Sequence, residues 1–120
     1  MYYKKLVGER LYLSPIDIEN EVKTMRKWMN EDEDIAHFNG FYGSLLGEEK
    51  VREMMSKWNE GPFIFSIVSQ EKNEFMGHVS LFGMDSHEQF VTMGIYLGKE
   101  FRHCGYGQEA IRLLLRYIFD

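Results

Sequence analysis

The chain has 120 residues, of which 44% are hydrophobic, and it carries a formal net charge of −5. This length and composition suit one globular domain with a real core and exclude a disordered chain. The acidic balance argues against a general nucleic-acid binder, which needs clustered lysine and arginine. No apolar run approaches the ~18 residues that span a bilayer, and no hydrophobic signal region follows the N-terminus. Because Cys104 is the only cysteine, no intrachain disulfide can form, and we expect a cytoplasmic protein that does not bind membranes.

The N-terminal half predicts one short strand and two helices. Leu11–Leu13 has the composition of a strand, and Pro15 ends it. Apolar residues with helical spacing predict a helix over Ile18–Asn30. A second amphipathic helix ends before Gly61 and Pro62. Its apolar positions are Val51, Met54, Met55 and Trp58.

Two segments between these helices leave alternatives open. The acidic run of residues 31–34 either attracts an amine or polyamine, or is a solvated loop. Residues 38–44 are rich in glycine and aromatic side chains, which indicates a loop. In that loop Phe38, Phe41 and Tyr42 either line an acceptor pocket or pin the loop against the core.

The C-terminal half predicts an antiparallel sheet followed by a helix. Three strands, Phe63–Ser69, Phe75–Phe82 and Glu88–Leu97, are joined by connections short enough for hairpins. Both faces of the last strand are largely apolar, as expected when helices or a ligand cover both. A final helix begins at Gly105 or Tyr106 and continues to the end of the chain. Its apolar stripe is formed by Ile111, Leu114, Leu115 and Ile118.

Residues 102–107 place two glycines between the last strand and this helix. The backbone N–H groups of such a loop converge, and the helix adds its unpaired N-terminal donors, so the expected guest is a phosphate. Residues 105–110 also satisfy the G-x-G-x-x-A dinucleotide fingerprint. That fingerprint belongs to the first strand-helix turn of a βαβ unit, with an acidic residue on a second parallel strand. The preceding antiparallel pattern does not supply this context.

The motif Arg102-x-x-Gly105-x-Gly107 matches the R/Q-x-x-G-x-G/A signature of the GNAT acetyltransferase superfamily, which the chain resembles over essentially its whole length. The segments 9–13 (Glu-Arg-Leu-x-Leu) and 106–111 (Tyr-Gly-x-Glu-Ala-Ile) are similar to the branch that includes ribosomal-protein N-acetyltransferases. The resemblance implies an α+β GNAT-like acyl-CoA N-acyltransferase fold, with a mostly antiparallel sheet flanked by helices. Because family members continue with a further strand, helix and strand pair, it also implies that residues 1–120 are an N-terminal fragment of one domain, or that a partner supplies the missing wall.

The same resemblance implies an N-acetyltransferase that transfers the acetyl group of acetyl-CoA directly to a primary amine of a small molecule or peptide. In the family, the glycine loop holds the cofactor pyrophosphate, here through Arg102, His103, Cys104, Gly105, Tyr106, Gly107 and Gln108. Backbone groups at the end of the last strand pair with the pantetheine arm and polarise the thioester carbonyl, here at Ile95, Tyr96 and Leu97. We expect Gly94 to mark a bulge that frees these groups, the alternative being an ordinary buried strand.

The sequence identifies no general base or acid. Transfer needs a neutral amine and a proton for the departing thiolate. The local candidates are His78, Asp85, His87 and Glu88, and for each the preferred alternative is a solvated turn residue or a hydrogen-bonded sheet residue. Tyr117 lies too far along the last helix to replace the family's tyrosine acid. No histidine stands at metal-ligand spacing from cysteine or carboxylate partners, so we expect acetyl-CoA as cosubstrate and no metal.

Two further interpretations complete the sequence-based expectations. The alternative to an enzyme is a noncatalytic module that retains the fold or binds the cofactor without turnover. An unpaired edge on the last strand also favours a homodimer.

Overall fold

The structure is a computed structural model that describes residues 2–39, 46–60, 64–85 and 90–119. Its strands are β1 (Leu6–Val7), β2 (Leu11–Ser14), β3 (Ile64–Ser69), β4 (Phe75–Asp85) and β5 (Phe90–Leu97). Its helices are α1 (Ile18–Glu31), α2 (Glu33–Phe38), α3 (Glu48–Glu60) and α4 (Tyr106–Phe119). These elements form two compact units: one contains α1 to α3, and the other contains the five strands and α4.

The first unit begins with an N-capped helix. The Asp17 carboxylate accepts a hydrogen bond from the amide of Asn20 (3.3 Å), while the amide of Asp17 donates to the buried carboxylate of Glu21 (3.1 Å). These bonds satisfy N–H groups that a helix start leaves unpaired. The helix predicted over Ile18–Asn30 is confirmed and continues to Glu31. Its buried apolar face consists of Val22, Met25, Trp28 and Met29.

The acidic run of residues 31–34 is a junction between two helices. Its residues are exposed or half-buried, so the alternative of a solvated loop is right about the solvation and wrong about the loop. The Asp32 carboxylate accepts hydrogen bonds from the amides of Asp34 (3.1 Å) and Ile35 (3.3 Å). This capping starts α2, which the sequence did not predict because the run lacks an apolar period of its own. Phe38, assigned above to a loop, is the last residue of α2 and is exposed. Phe41 and Tyr42 lie outside the described residues.

The second unit is built on an antiparallel sheet with the strand order β1-β2-β3-β4-β5. The sheet confirms the predicted hairpin order. Strand β1 was not predicted because two residues are too few for an alternating pattern. Strand β4 extends three residues beyond the predicted end, to Asp85, and β5 is described from Phe90 onward.

Helix α4 covers one face of this sheet. The core between them combines Leu11, Leu13, Phe65, Ile67, Met76, Val79 and Leu81 of the strands with Ala110, Leu113 and Leu114 of the helix. The predicted stripe is therefore partly wrong: Ile111 is only half-buried and Leu115 is 36% exposed. In a run of consecutive apolar residues the period alone does not fix which face turns inward. The side chain of Ile118 lies outside the described part.

Among the described residues, no helix combines the length and the apolar character that a bilayer crossing requires.

Candidate functional site

The chain leaves β5 through a 3₁₀ turn at Lys99–Phe101 and enters α4 through a loop of residues 102–105. His103 and Gly105 both have left-handed backbone conformations, with φ of 64° and 86°. Glycine adopts this region without steric cost, whereas histidine rarely does. The hydrogen-bond ladder of α4 begins with the amide of Glu109 donating to the carbonyl of Gly105 (3.2 Å). The N–H groups of residues 106–108 therefore lie at the helix N-terminus, ahead of the first intrahelical bond.

Gly105 in the loop and Gly107 in the first turn of α4 differ in what their positions require. A Cβ at Gly105 would lie 3.1 Å from Nη2 of Arg10, and the positive φ would strain any other residue. A Cβ at Gly107 would meet only the side-chain tips of Ile95 and Leu97, at 3.7 and 3.8 Å. These are ordinary contacts, so the backbone demands glycine at position 105 but tolerates alanine at 107.

Arg10, in the turn between β1 and β2, holds this loop from outside the motif. Its Nε donates to Oε1 of Glu109 (2.9 Å), and its amide donates to Oε2 of the same carboxylate (2.8 Å). Its Nη1 donates to the carbonyl of Cys104 (2.9 Å), and its guanidinium carbon lies 4.5 Å from the ring centroid of Tyr106. Gly8 leaves room for this arrangement, since a Cβ there would lie 2.8 Å from Oε2 of Glu109. One arginine thus joins the loop, the first turn of α4 and the β1-β2 turn.

The ion pair shifts the pKa of both of its members. Desolvation raises the pKa of the Glu109 carboxyl, but hydrogen bonds from the amide and side chain of Arg10, with the positive charge of Arg10, bring that pKa below its ordinary value. The side-chain hydrogen bond with Glu109 raises the pKa of Arg10. Both groups are therefore charged at neutral pH, and the negative charge beside the loop is balanced.

Strand β5 is the last strand of the described sheet and pairs with β4 on one side. The amide of Gly98 donates to the carbonyl of Met76 beyond the end of this ladder (2.8 Å). Successive residues of an antiparallel strand alternate between facing the partner and facing away. The backbone N–H and C=O groups of Ile95 and Leu97 consequently face the open edge, whereas those of Tyr96 face β4.

Arg102 occupies part of this edge. Its Nε donates to the carbonyl of Leu97 (2.9 Å), and its side chain is half-buried. This bond ties the entry of the loop to the end of β5. At the same end of β5, the N–H groups of Ile95 and Leu97 and the carbonyl of Ile95 also face away from β4.

The prediction of a bulge at Gly94 is wrong. Gly94 pairs in register with Ser80, and the ladder is continuous from Leu97 to Thr92. The irregularity in this pairing falls further along, between Phe82 and Asp85 of β4. The carbonyl of Gly94 accepts a hydrogen bond from the Ser80 hydroxyl (3.5 Å). Within the described sheet, these groups face away from β4 because β5 is the last strand, and its ladder is unbroken over these residues.

The face of the sheet opposite α4 carries a row of buried polar side chains. Ser14, Ser66, His78 and Tyr96 are paired across β2, β3, β4 and β5, and each is at most 9% exposed. Nδ1 of His78 lies 2.5 Å from the Tyr96 hydroxyl. At Gly77, beside this pair, a Cβ would overlap the carbonyl of Tyr96, so a side chain there would displace β5.

Of the four candidate acid and base residues, His78 alone has a described side chain. It is 1% exposed and its Nδ1 is engaged with Tyr96, which makes it a core residue of the sheet. Asp85 closes β4 opposite Phe90, with its side chain outside the described part, and His87 and Glu88 also lie outside it.

The remaining loop side chains are on the surface. His103, Cys104 and Gln108 are exposed, and the Cys104 thiol lies 3.4 Å from the carbonyl of Arg102. Within the described ranges no three histidine, cysteine, aspartate or glutamate side chains are grouped closely enough to hold a metal ion.

Solved structures share this architecture at low sequence identity. The chain is similar to an acetyltransferase of the GNAT family from Bacillus anthracis, with 20% identity, a TM-score of 0.76, and coverage of 99% of this chain and 66% of that one. It is similar to the microcin C7 self-immunity acetyltransferase MccE in complex with acetyl-CoA and AMP, with 18% identity, a TM-score of 0.74, and coverage of 94% and 64%. A third match is RimL, the ribosomal L7/L12 alpha-N-protein acetyltransferase in complex with coenzyme A, with 14% identity, a TM-score of 0.70, and coverage of 92% and 64%. These likenesses show the fold, and the chain spans just under two thirds of the length of each of these structures.

No curated protein matches the sequence. A family model described as the acetyltransferase (GNAT) domain matches residues 10–120. That span includes the glycine loop, the edge strand and Arg10, so the resemblance in the motif extends over nearly the whole chain. The chain belongs to the GNAT acetyltransferase domain family.

Proposed function

We propose that this chain is the cofactor-binding part of an N-acetyltransferase. The loop of residues 102–108 binds the pyrophosphate of acetyl-CoA, and the open edge of β5 binds the pantetheine arm. The observation that carries the proposal is continuity: the exposed edge ends at Leu97, and the loop and the N-terminus of α4 follow within ten residues. We further propose that both units belong to one domain, in keeping with the single family match over residues 10–120.

The loop has the properties that a pyrophosphate requires. The amides of residues 106–108 precede the first bond of α4, and the positive end of the helix dipole favours an anion there. The left-handed conformations of His103 and Gly105 turn the chain sharply at this point. Glu109 would repel a phosphate, but its charge is balanced by Arg10. The names of the similar structures support the same ligand class, since MccE is described with acetyl-CoA and RimL with coenzyme A.

The edge of β5 supplies groups for the thioester end. Bound acetyl-CoA provides an activated acetyl group for attack by an amine. The N–H of Ile95, which faces the open edge, is a donor suited to hold the thioester oxygen and to stabilise the negative charge that develops on it. The chain as described assigns no proton acceptor, because His78 is buried and the other candidates lie outside the described side chains.

We propose a primary amine as the acceptor. The net charge of −5 favours the approach of a cationic amine, which must lose a proton before its nitrogen can attack. A small molecule and a peptide N-terminus both satisfy this chemistry.

Calorimetric titration with acetyl-CoA tests the proposal. Gln108 is exposed in the first turn of α4, so Gln108→Glu adds a negative charge at the proposed phosphate site without changing side-chain size. Ser56→Glu adds the same charge on an exposed position of α3. We expect the parent and Ser56→Glu to bind alike and Gln108→Glu to bind about tenfold more weakly.

Consumption of the thioester with a panel of primary amines then tests catalysis. Turnover that depends on the amine supports the enzyme, whereas binding with no turnover supports the noncatalytic module. A folded parent that does not bind acetyl-CoA would contradict the proposal.

A further inference from the structure

The Arg10 guanidinium makes three contacts, through Nε, Nη1 and its planar face, and they leave Nη2 available. Nε bonds Glu109, Nη1 bonds the carbonyl of Cys104, and the guanidinium plane covers the ring of Tyr106. Within the described part of the chain, Nη2 has no acceptor. It lies beside Gly105, 3.1 Å from where a Cβ would stand, and the side chain is 45% exposed.

A guanidinium in this state is prepared to bind an anion. Its other contacts already fix its conformation, so binding through Nη2 costs little further side-chain entropy. A hydrogen bond between a charged donor and a phosphate oxygen is stronger than a neutral one. The missing side chain at Gly105 leaves the space next to Nη2 open, on the same loop whose amides face the proposed pyrophosphate.

We propose that Arg10 is a phosphate-binding residue of the cofactor site, with Nη2 donating to a phosphate oxygen of coenzyme A. The inference rests on the proposed function and adds to it a side chain that lies outside the glycine motif. Arg10 therefore has two contacts to make at once: it holds the loop through Glu109 and Cys104, and it binds the ligand that the loop receives.

A purely structural role for Arg10 predicts a different result for its partner. If Arg10 acts only by holding the loop, removing the charge of Glu109 weakens the ion pair. The Glu109 variant then loses ligand affinity as an Arg10 variant does. If Nη2 binds phosphate, Glu109→Gln keeps an oxygen acceptor for Arg10 and removes a negative charge close to the ligand. Affinity for coenzyme A then stays equal or increases.

The test compares coenzyme A with pantetheine, which lacks every phosphate, on the whole 120-residue chain. The variants are Arg10→Gln, Glu109→Gln and, as a control for the loss of one positive charge, Arg112→Gln at an exposed position of α4. Calorimetry measures coenzyme A, ligand-observed NMR measures pantetheine, and circular dichroism verifies folding.

We expect Arg10→Gln to weaken coenzyme A binding about tenfold or more while pantetheine binding changes less than about twofold. Arg112→Gln should retain parental affinity for coenzyme A, and Glu109→Gln should bind it as tightly as the parent or more tightly. Equal losses for both ligands in Arg10→Gln, a matching loss in Glu109→Gln, or undiminished coenzyme A binding in Arg10→Gln would each overturn this inference alone. A folded parent that binds no coenzyme A would overturn both the inference and the proposed function. If Arg10→Gln does not fold, Arg10→Lys takes its place. We then expect a smaller loss of affinity for coenzyme A and no loss for pantetheine. The same outcomes would overturn the inference.

Discussion

The guanidinium of Arg10 and the carboxylate of Glu109 meet across 99 residues of sequence and join the β1-β2 turn to the first turn of α4. Two hydrogen bonds to one carboxylate, one from a backbone amide and one from a side chain, give the contact a defined geometry. With the bond from Arg10 to the Cys104 carbonyl, the pair ties the glycine loop to the β1-β2 turn. This contact and three other features of the fold lead to predictions that can be measured.

The first concerns pH. Because the folded-state pKa of Glu109 lies below its unfolded value of about 4.5, its stabilising contribution is fully present above that pH. The contribution is lost as the pH falls through the folded pKa. Glu109→Gln should therefore lower Tm at neutral pH, and the difference from the parent should shrink as the pH falls below about 4.5 and through the folded pKa. Thermal melts across this range measure it, with Glu71→Gln in the exposed β3-β4 turn as the control. If the difference in Tm between the parent and Glu109→Gln does not depend on pH, the charge of the carboxylate is not the cause of the stabilisation.

The second concerns the two loop glycines. Gly105→Ala should reduce the free energy of unfolding by about 1–2 kcal/mol, because position 105 has a φ of 86°. Gly107→Ala should be neutral or stabilising by up to about 1 kcal/mol, because position 107 is helical and has room for a methyl group. Urea unfolding of both variants gives the comparison. Equal losses of unfolding free energy in Gly105→Ala and Gly107→Ala would contradict the left-handed conformation at position 105.

The third concerns the buried pair in the sheet. Tyr96→Phe removes the hydroxyl that lies 2.5 Å from Nδ1 of His78 and leaves a buried ring nitrogen without that partner. We expect a loss of about 1–3 kcal/mol in the free energy of unfolding. Tyr117→Phe is the matched control, since Tyr117 is 43% exposed and its edge contact with Phe65 does not need the hydroxyl. If both changes are silent, the buried hydrogen bond contributes nothing to stability.

The fourth concerns the orientation of α4. Leu114→Ala should cost about 2–5 kcal/mol, because Leu114 is fully buried against the sheet. Leu115→Ala should cost less than about 1 kcal/mol, because Leu115 is 36% exposed. Chemical denaturation distinguishes the two. The reverse order would mean that the helix presents another face to the sheet.

Local patterns were sufficient to predict the antiparallel order of β3, β4 and β5 and the start of α4. Alternation and helical spacing act over a few residues, and the glycine motif is contiguous. The face that α4 turns towards the sheet was not predictable in the same way. Of the five residues that follow Ala110, all but Arg112 are apolar, so the apolar residues do not mark one face. Helix α2 begins with a cap by Asp32. In the sequence this residue cannot be told from its acidic neighbours as a capping residue.

The candidate site was predictable only as far as it is continuous in sequence. The segments that contain Arg10 and Glu109 each resembled the family, yet nothing in either segment indicates that they meet. Which edge groups of β5 face outward depends on the register with β4, because a shift of one residue would exchange Ile95 for Tyr96. The pairing that sets this register is tertiary, as is the position of Arg102 on the Leu97 carbonyl.

The most direct test of the cofactor site is a titration of the ¹⁵N-labelled chain with coenzyme A, followed amide by amide. We expect the largest shifts on the amides of residues 105–108 and on those of Ile95 and Leu97, with Tyr96 less affected because its N–H faces β4. The proposed cofactor site would be contradicted by saturable binding that leaves the amide signals of the loop and the β5 edge unchanged and shifts those of α1 or α3.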